Sequence, residues 1–536
     1  MRNNGLPFRP GPLLSILLGI FALGFSEGAA FVFKRDIGTT PTARRIFRNP
    51  SIFPHVEPSW TLHSTSTSLQ ESPQDLTKDQ SQFDSLFQEL YESVDLYPSG
   101  LVRLQTSVNE KDGTAVRGVY LNSPVKKGEA ILTIPLSACL RDDEPPAWLD
   151  CDLLSPNEPG DPCLIAGYYN PSDWATRLAA SFLDLKLQKL HSIDKISDLW
   201  LSLLPNADFL RASLPIHWSP RILQSASNTA LELAVDSAFF ARAEAIQELM
   251  EGLKRNSPPE AQSLSESELH RMCENALDVV QTRSCRVALS PGTDANGQSN
   301  ELSPDWLPPL RLLAPVFDFI NHPSTGKANS EFVVDIAGDD EDVLVVRALR
   351  DLEEDEEVLI DYGDAARPAW KCLASYGFVP TFSQEDEAGP EDDDRGLFHV
   401  AEVYLDGVRY EVGAETVPED IVAACSANGS SFDDVVLTPD IAIRLSRRLS
   451  DVAYQLLIDP LHRYRDNDAE GKEASLGETA EDILSAQLAA SLRWNQHRIL
   501  LACSLGLQDW AILQNDGSQS KDNSDVHVDT SSEASP

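Results

Sequence analysis

Three short segments in the second half of the chain gather the side chains best suited to chemistry. Asp318-x-x-Asn321-His322 closes the apolar run LLAPVFDFINH (312–322). Asp361-Tyr362-Gly363 ends EEVLIDYG (356–363), and a second Tyr-Gly pair, in Tyr376-Gly377-Phe378, follows thirteen residues beyond Gly363. Asn321 joins a hydrogen-bond donor to an acceptor, which suits a ligand bearing both an amine and a carboxylate. Tyr362 offers a phenol able to orient a polar group. Arg283 and Asp318 carry opposite charges, so each can hold a polar partner, or the two can pair with one another. Each residue also has an ordinary reading: a buried Asn-His as a satisfied turn, a tyrosine after an apolar run as an edge-strand residue. The ordered set restricts the choice far more than any member of it.

Metal chemistry is disfavoured. The eight cysteines (Cys139, Cys151, Cys163, Cys273, Cys285, Cys372, Cys425 and Cys503) are scattered, with no CxxC pair for zinc or dithiol redox work.

The elements that must position these residues alternate between two patterns. An amphipathic run at Phe83-Leu86-Phe87-Leu90-Tyr91 predicts a helix face, followed by strand-like GVYL (118–121) and AILTIP (130–135). From about Trp174 to Cys285 the period is helical, with Leu231, Val235, Phe239, Ala243 and Ile246 on one expected face. Strands return at EFVVDI (331–336), VLVVRAL (343–349) and EVLIDY (357–362). The acidic run EDEAGPEDDD (385–394) reads as a solvated loop before FHVAEVYL (398–405). Long helical patterns follow, with Ile441, Leu445, Leu449, Val452 and Leu456 sharing one face and Leu484, Leu488 and Leu492 another. From about Gln514 the Ser/Asp/Asn-rich tail reads as disordered.

Composition bounds the function. The chain has 536 residues, with 84 Asp+Glu against 43 Lys+Arg and a formal net charge of −41 at pH 7. So few cations leave little to neutralise phosphates, which disfavours broad nucleic-acid binding. An acidic field favours a partner that carries Lys or Arg. The 42% apolar content excludes a wholly disordered, collagen-like or disulfide-knot protein.

The N-terminus reads as an address. Arg2 and Arg9 precede the apolar run Leu13 to Phe25, too short for a membrane span, and Gly28-Ala29-Ala30 offers small residues for cleavage. Residues 31 to 70 are rich in Ser/Thr and poor in acids, a transit-peptide composition. The junction GAAFVF, with Phe31 first after the cut, resembles the bipartite plastid presequence of algae with secondary plastids. The expectation is a plastid stromal protein, the alternative the secretory pathway.

Five segments in order resemble the SET-domain protein methyltransferases, and within them the Rubisco large-subunit methyltransferase-like group. They are AVRGVYLNSPVKKGEAILTIP (115–135), SDLWLSLLP (197–205) with PIHWSP (215–220), ALDVVQTRSC (276–285), LLAPVFDFINH, and EEVLIDYG with SYGFVP (375–380). The resemblance implies an α+β fold: a SET-type β fold of short sheets over 98–381, with a helical insertion at about 174–285. An acidic loop at 382–397 and a mainly helical substrate-binding domain at 398–513 follow; 1–30, 31–80 and 514–536 are the signal, transit-like and tail segments. The implied co-substrate is S-adenosylmethionine, without metal. Ala115, Val116 and Arg117 would contact it mostly through backbone, Gly118 would permit close approach, Asn321 would meet its amino-carboxylate and His322 its adenine, with Tyr362 beside it. Arg283 and Asp318 would lie on the substrate side, while Trp370, Tyr376 and Phe378 would wall a channel. One departure stands out: the group's Asn shortly after Tyr-Gly is replaced in DYGDAARPAW, which offers Arg367-Pro368.

The implied activity is transfer of a methyl group to a lysine of a plastid protein such as the Rubisco large subunit or fructose-bisphosphate aldolase. A protein-histidine methyltransferase and a non-catalytic binding or assembly module are the alternatives. At pH near 8, neutralising an ordinary lysine costs roughly 3 kcal/mol. An apolar channel lowers that cost and an in-line arrangement makes the displacement effectively unimolecular. Tyr362 is the expected catalytic residue, orienting the amine and polarising the methyl. The implied partner is a protein substrate, with no nucleic acid, no membrane for the mature form, and a monomeric enzyme.

Overall fold

Alternating and helical periods in the sequence become short antiparallel sheets wrapped around a helical insertion. The computed structural model describes residues 44–45, 84–90, 92, 100–108, 115–149, 172–188, 195–256, 263–287, 310–323, 328–335, 342–362, 368–380, 400–414, 416–426, 437–457 and 480–522. The expected signal and transit segments lie almost wholly outside them, as does the acidic run at 385–394.

In chain order the strands are β1 (Val102–Val108), β2 (Ala115–Leu121), β3 (Ala130–Pro135), β4 (Leu140–Arg141), β5 (Cys285–Val287), β6 (Leu310–Leu313), β7 (Ser330–Asp335), β8 (Val343–Ala348), β9 (Val400–Leu405) and β10 (Val408–Gly413). The helices are α1 (Ser172–Gln188), α2 (Lys195–Leu203), α3 (Ala207–Ser213), α4 (Pro220–Ser225), α5 (Thr229–Asn256), α6 (Glu266–Arg283), α7 (Ala369–Tyr376), α8 (Glu419–Cys425), α9 (Pro439–Leu457) and α10 (Ala480–Asp522). Arg44–Arg45 adds a two-residue antiparallel ladder with Thr416–Val417.

β1 and β2 pair antiparallel from Val102↔Leu121 to Val108↔Ala115. A second sheet has the order β3-β8-β7 and a third the order β4-β6-β5. Their apolar faces join α1 and α6 in one core, where Ile131, Leu132, Ile134, Leu178, Val280, Leu312 and Leu344 are fully or almost fully buried. α6 starts on a capping box: Ser265 Oγ accepts from Glu268 N, and the Glu268 carboxylate accepts from Ser265 N at 2.8 Å. Such a box contributes about 1 kcal/mol and fixes where the helix begins. The helix then ends at Arg283, where Ser284 turns extended into β5.

A second core unites β9, β10, α8, α9 and α10 around Val412, Leu445, Leu449, Ile499, Cys503 and Leu507. A third cluster, with Trp218, Leu231, Leu373, Ala489 and Leu492, ties α10 to the insertion and to α7. Ser485 Oγ donates to Ala212 O at 2.8 Å across that seam.

The structure departs from the sequence reading at three elements. EVLIDY is no continuous strand: Glu357, Leu359 and Ile360 make single bridges to Tyr120, Asn321 and Ser330. Its backbone pairs with three neighbours in turn rather than along one ladder. On α5, Leu231 and Ile246 are buried, but Phe239 is 59% exposed and Ala243 is exposed too, because the middle of this long helix stands clear of the core. Beyond Gln514, where a disordered tail is expected, the α10 backbone stays helical to Asp522, since extending a formed helix costs far less than nucleating one. Among the described residues no helix is long and apolar enough to cross a membrane.

Candidate active site

The segment carrying Asp318 and Asn321 is bent by a strained turn. Val316, wholly buried, has φ 70° and ψ −46°, and Phe317 N donates to Pro315 O at 2.8 Å. This is a γ-turn with positive φ on a β-branched residue, a conformation that costs on the order of 1–3 kcal/mol. A 3-10 turn over Phe317–Phe319 follows at once. Together the two turns aim successive carbonyls at different partners. Asp318 O accepts from Arg283 Nη1 at 2.6 Å, Ile320 O from the Tyr362 hydroxyl at 2.7 Å, and Asn321 O from Ile360 N at 3.0 Å. The 315–322 and 357–362 segments, far apart in sequence, are thereby laced together.

On one side of this crossing lie Arg117, Gly118 and Asn321. The Asn321 amide donates to Arg117 O at 2.9 Å and to Glu357 Oε1 at 2.8 Å. Both partners are acceptors, so the amide orientation is fixed and both its protons are committed. What remains is Oδ1, an acceptor suited to an ammonium; the donor-plus-acceptor role expected from the sequence is reduced to half. Tyr120 Oη donates to Glu357 Oε2 at 3.2 Å. A Cβ on residue 118 would stand 2.2 Å from Glu357 Oε1 and 2.9 Å from Asn321 Nδ2. Gly118 thus lets β2 lie against these two side chains, so the close approach it permits is first of all internal. Ala115 and Val116 lie on the same strand.

On the other side lie the charged and aromatic groups. Tyr362 packs against Tyr376 with ring centroids 4.9 Å apart, and against His322 at 5.4 Å. Phe378 lies 6.2 Å from both His322 and Tyr376. Tyr376 Oη donates to Tyr362 O at 2.9 Å, and Tyr362 N to His322 Nδ1 at 3.3 Å, which leaves that ring nitrogen unprotonated. Burial pushes the Tyr362 phenol further above its ordinary range. Trp370, expected as a third channel wall, packs instead against the Trp218–Leu492 cluster.

Asp318 is 4% exposed, and burial raises its carboxyl pKa to about 6 although Arg283, Trp200 and Arg117 pull it down. Trp200 Nε1 donates to Oδ2 at 3.1 Å, and Oδ1 has no partner. Arg283 binds the Asp318 backbone rather than its carboxylate, so the salt bridge considered from sequence is not formed. Arg117 donates to Leu203 O at 2.6 Å and stacks on Phe319 at 4.9 Å, its pKa lowered to about 10 by burial and then by Arg283. Trp200 is the residue that sequence reasoning missed; the SDLWLSLLP motif was its only signal. Among the described residues no group of His, Cys, Asp and Glu could hold a metal ion.

Residues 116–363 match the SET domain family. The solved SET domain of LSMT bound to lysine and AdoHcy is similar at 13% identity and TM-score 0.41, covering 84% of this chain and 97% of that one. Rubisco LSMT bound to sinefungin and monomethyllysine is similar at 12% identity, TM-score 0.41, with 84% and 97% covered. Rubisco LSMT bound to AdoMet gives 12% identity, TM-score 0.40, and 83% and 96%. No curated protein matches the sequence. The strained Asp-x-x-Asn-His turn, laced to Asp-Tyr inside residues 116–363, is carried on short antiparallel sheets. Over these residues the chain is similar to the SET domain family.

Proposed function

We propose that the protein is an S-adenosylmethionine-dependent protein-lysine N-methyltransferase of the Rubisco large-subunit methyltransferase-like group. The observation that carries this reading is the lacing of 315–322 to 357–362. It brings together the carboxamide of Asn321, whose two protons are committed, the half-buried phenol of Tyr362 and the buried carboxylate of Asp318.

The residues fit the donor. Asn321 Oδ1 would accept from its ammonium, with the Arg117–Gly118 backbone and His322 alongside. When bound, S-adenosylmethionine supplies an electrophilic methyl on a sulfonium. The protein must present a neutral amine in line with it and exclude water. Tyr362 is poorly suited to act as a base, because burial keeps its phenol protonated and that proton is donated to Ile320 O. Its oxygen lone pairs remain to hold the amine and the polarised methyl, a stabilisation that develops with charge in the transition state. The rings of Tyr376 and Phe378 give the acceptor an apolar approach, which lowers the cost of a neutral amine. Asp318 Oδ1 can attract the incoming ammonium before it loses its proton. The net charge of −41 suits a substrate surface rich in Lys or Arg.

The favoured setting is the plastid stroma, with the Rubisco large subunit or fructose-bisphosphate aldolase as candidate substrate class and a monomeric enzyme. The basis is the GAAFVF junction and the acid-poor segment after it. Incubation with methyl-labelled S-adenosylmethionine and a plastid extract, followed by mass spectrometry of the labelled band, tests the activity. Label on a lysine is expected. Label on a histidine would convert the reading to its nearest rival, and donor binding without label in any extract would leave a binding module. A reporter fused to residues 1–70 tests the address separately: fluorescence confined to the secretory pathway would discard the plastid.

A further inference from the structure

The helical insertion does more than pack against the sheets, because one turn of α2 reaches the buried charges of the cleft twice. Trp200 is 2% exposed, and its indole N–H donates to Asp318 Oδ2 at 3.1 Å across 118 residues of sequence. Leu203, three residues on and so on the same helix face, accepts from Arg117 Nη2 at 2.6 Å. Ser197, one turn earlier, is buried on that face as well. α2 therefore holds both a carboxylate and the cation beside it. With Oδ2 occupied by Trp200 and the backbone of Asp318 occupied by Arg283, the sole uncommitted atom of that carboxylate is Oδ1.

We infer that Trp200 is a positioning residue for the acceptor side of the cleft: its indole N–H fixes Asp318 so that Oδ1 is the atom presented to the cationic group of the acceptor side chain. The inference rests on the lysine-methyltransferase reading and assigns to the insertion a share in choosing the acceptor. The groups facing Asp318 are Arg117 from β2, Arg283 from α6, Cys285 from β5 and Tyr362 from the 357–362 segment. Burial holds its carboxyl near 6 against the pull of Arg283, of the Trp200 hydrogen bond and of Arg117. Removing a donor to the charged form raises a carboxyl pKa. Loss of the indole N–H thus has a signature in pH that a mere packing role lacks.

The test uses the full chain, free L-lysine as acceptor probe, and Trp200→Phe. The expected results are a rise of about tenfold in KM for lysine, with kcat and S-adenosylmethionine affinity changed less than about threefold. The acid limb of kcat/KM should move to higher pH by about one unit. Carbon-13 NMR of aspartate-labelled protein, with the Asp318 signal assigned by its loss in Asp318→Asn, should show the same upward movement of the midpoint. If Trp200→Phe does not fold, benzothienylalanine at position 200 keeps the bicyclic shape and removes only the N–H. An unmoved Asp318 midpoint would overturn the inference whatever the kinetics. Wild-type protein that turns over no lysine would instead count against the proposed function, and the NMR midpoint would still decide the role of Trp200.

Discussion

The two sides of the crossing satisfy their polar groups in opposite ways. Around Gly118 the groups answer one another: Asn321 bonds Arg117 O and Glu357, Glu357 bonds Tyr120, and a missing Cβ makes room for both. Around Asp318 a buried carboxylate keeps one oxygen unpaired, beside a strained Val316 and two half-buried arginines. The first side is a built shape that a ligand completes with few new bonds. The second stores unmet electrostatic demand, which costs stability and gives a cationic acceptor its reason to bind.

The sharpest way to break this comparison is Tyr362→Phe, since its hydroxyl would meet the amine and the moving methyl while the donor's own contacts lie around Gly118 and Asn321. Turnover should fall by roughly 30- to 1000-fold, about 2–4 kcal/mol of transition-state stabilisation, with donor affinity nearly unchanged. Steady-state kinetics beside calorimetry would show it; equal turnover would keep the enzyme and discard the proposed role of the phenol. A smaller effect belongs to the donor side. Asn321→Ala should raise the S-adenosylmethionine dissociation constant about five- to hundredfold, the loss of a hydrogen bond of about 1–3 kcal/mol. A melting curve must accompany it, because the same change orphans Glu357 Oε1 and Arg117 O.

The mildest test concerns stored cost. The Asp318 carboxyl titrates at about 6 in the fold against 3.8 normally, so the folded chain holds that proton more tightly than the unfolded one. Its contribution to stability is therefore favourable below about pH 4, declines as pH rises through the window to about 6, and is a standing cost above it. Asp318→Asn should accordingly raise the melting temperature at pH 8 by a few degrees while weakening the acceptor side, and the gain should shrink at pH 4–5. A variant less stable than wild type at every pH would show that the carboxylate is structurally paired after all.

The parts legible in the sequence were those carried by local pattern or by fixed-order motifs. GVYL and AILTIP became strands, and the helical stretch after Trp174 became α1 to α6. Asn321, Tyr362, Tyr376 and Phe378, named from motifs, are drawn to one crossing. What stayed hidden depends on contacts at long range. EVLIDY alternates like a strand, yet its partners come from three different segments. The Trp200–Asp318 bond spans 118 residues, and no periodicity announces it. The positive φ of Val316 contradicts its residue type, as strain at a site does, so propensity points away from it. Exposure of Phe239 likewise follows from how α5 leaves the core, which its own period does not encode.

Titration calorimetry of the full chain with S-adenosylmethionine most directly tests the proposal that this protein binds a methyl donor beside Asn321. Wild type and Tyr362→Phe should bind one equivalent with matching affinity, and Asn321→Ala should bind at least fivefold more weakly. Absence of binding by folded wild-type protein, or equal affinity in folded Asn321→Ala, would contradict it.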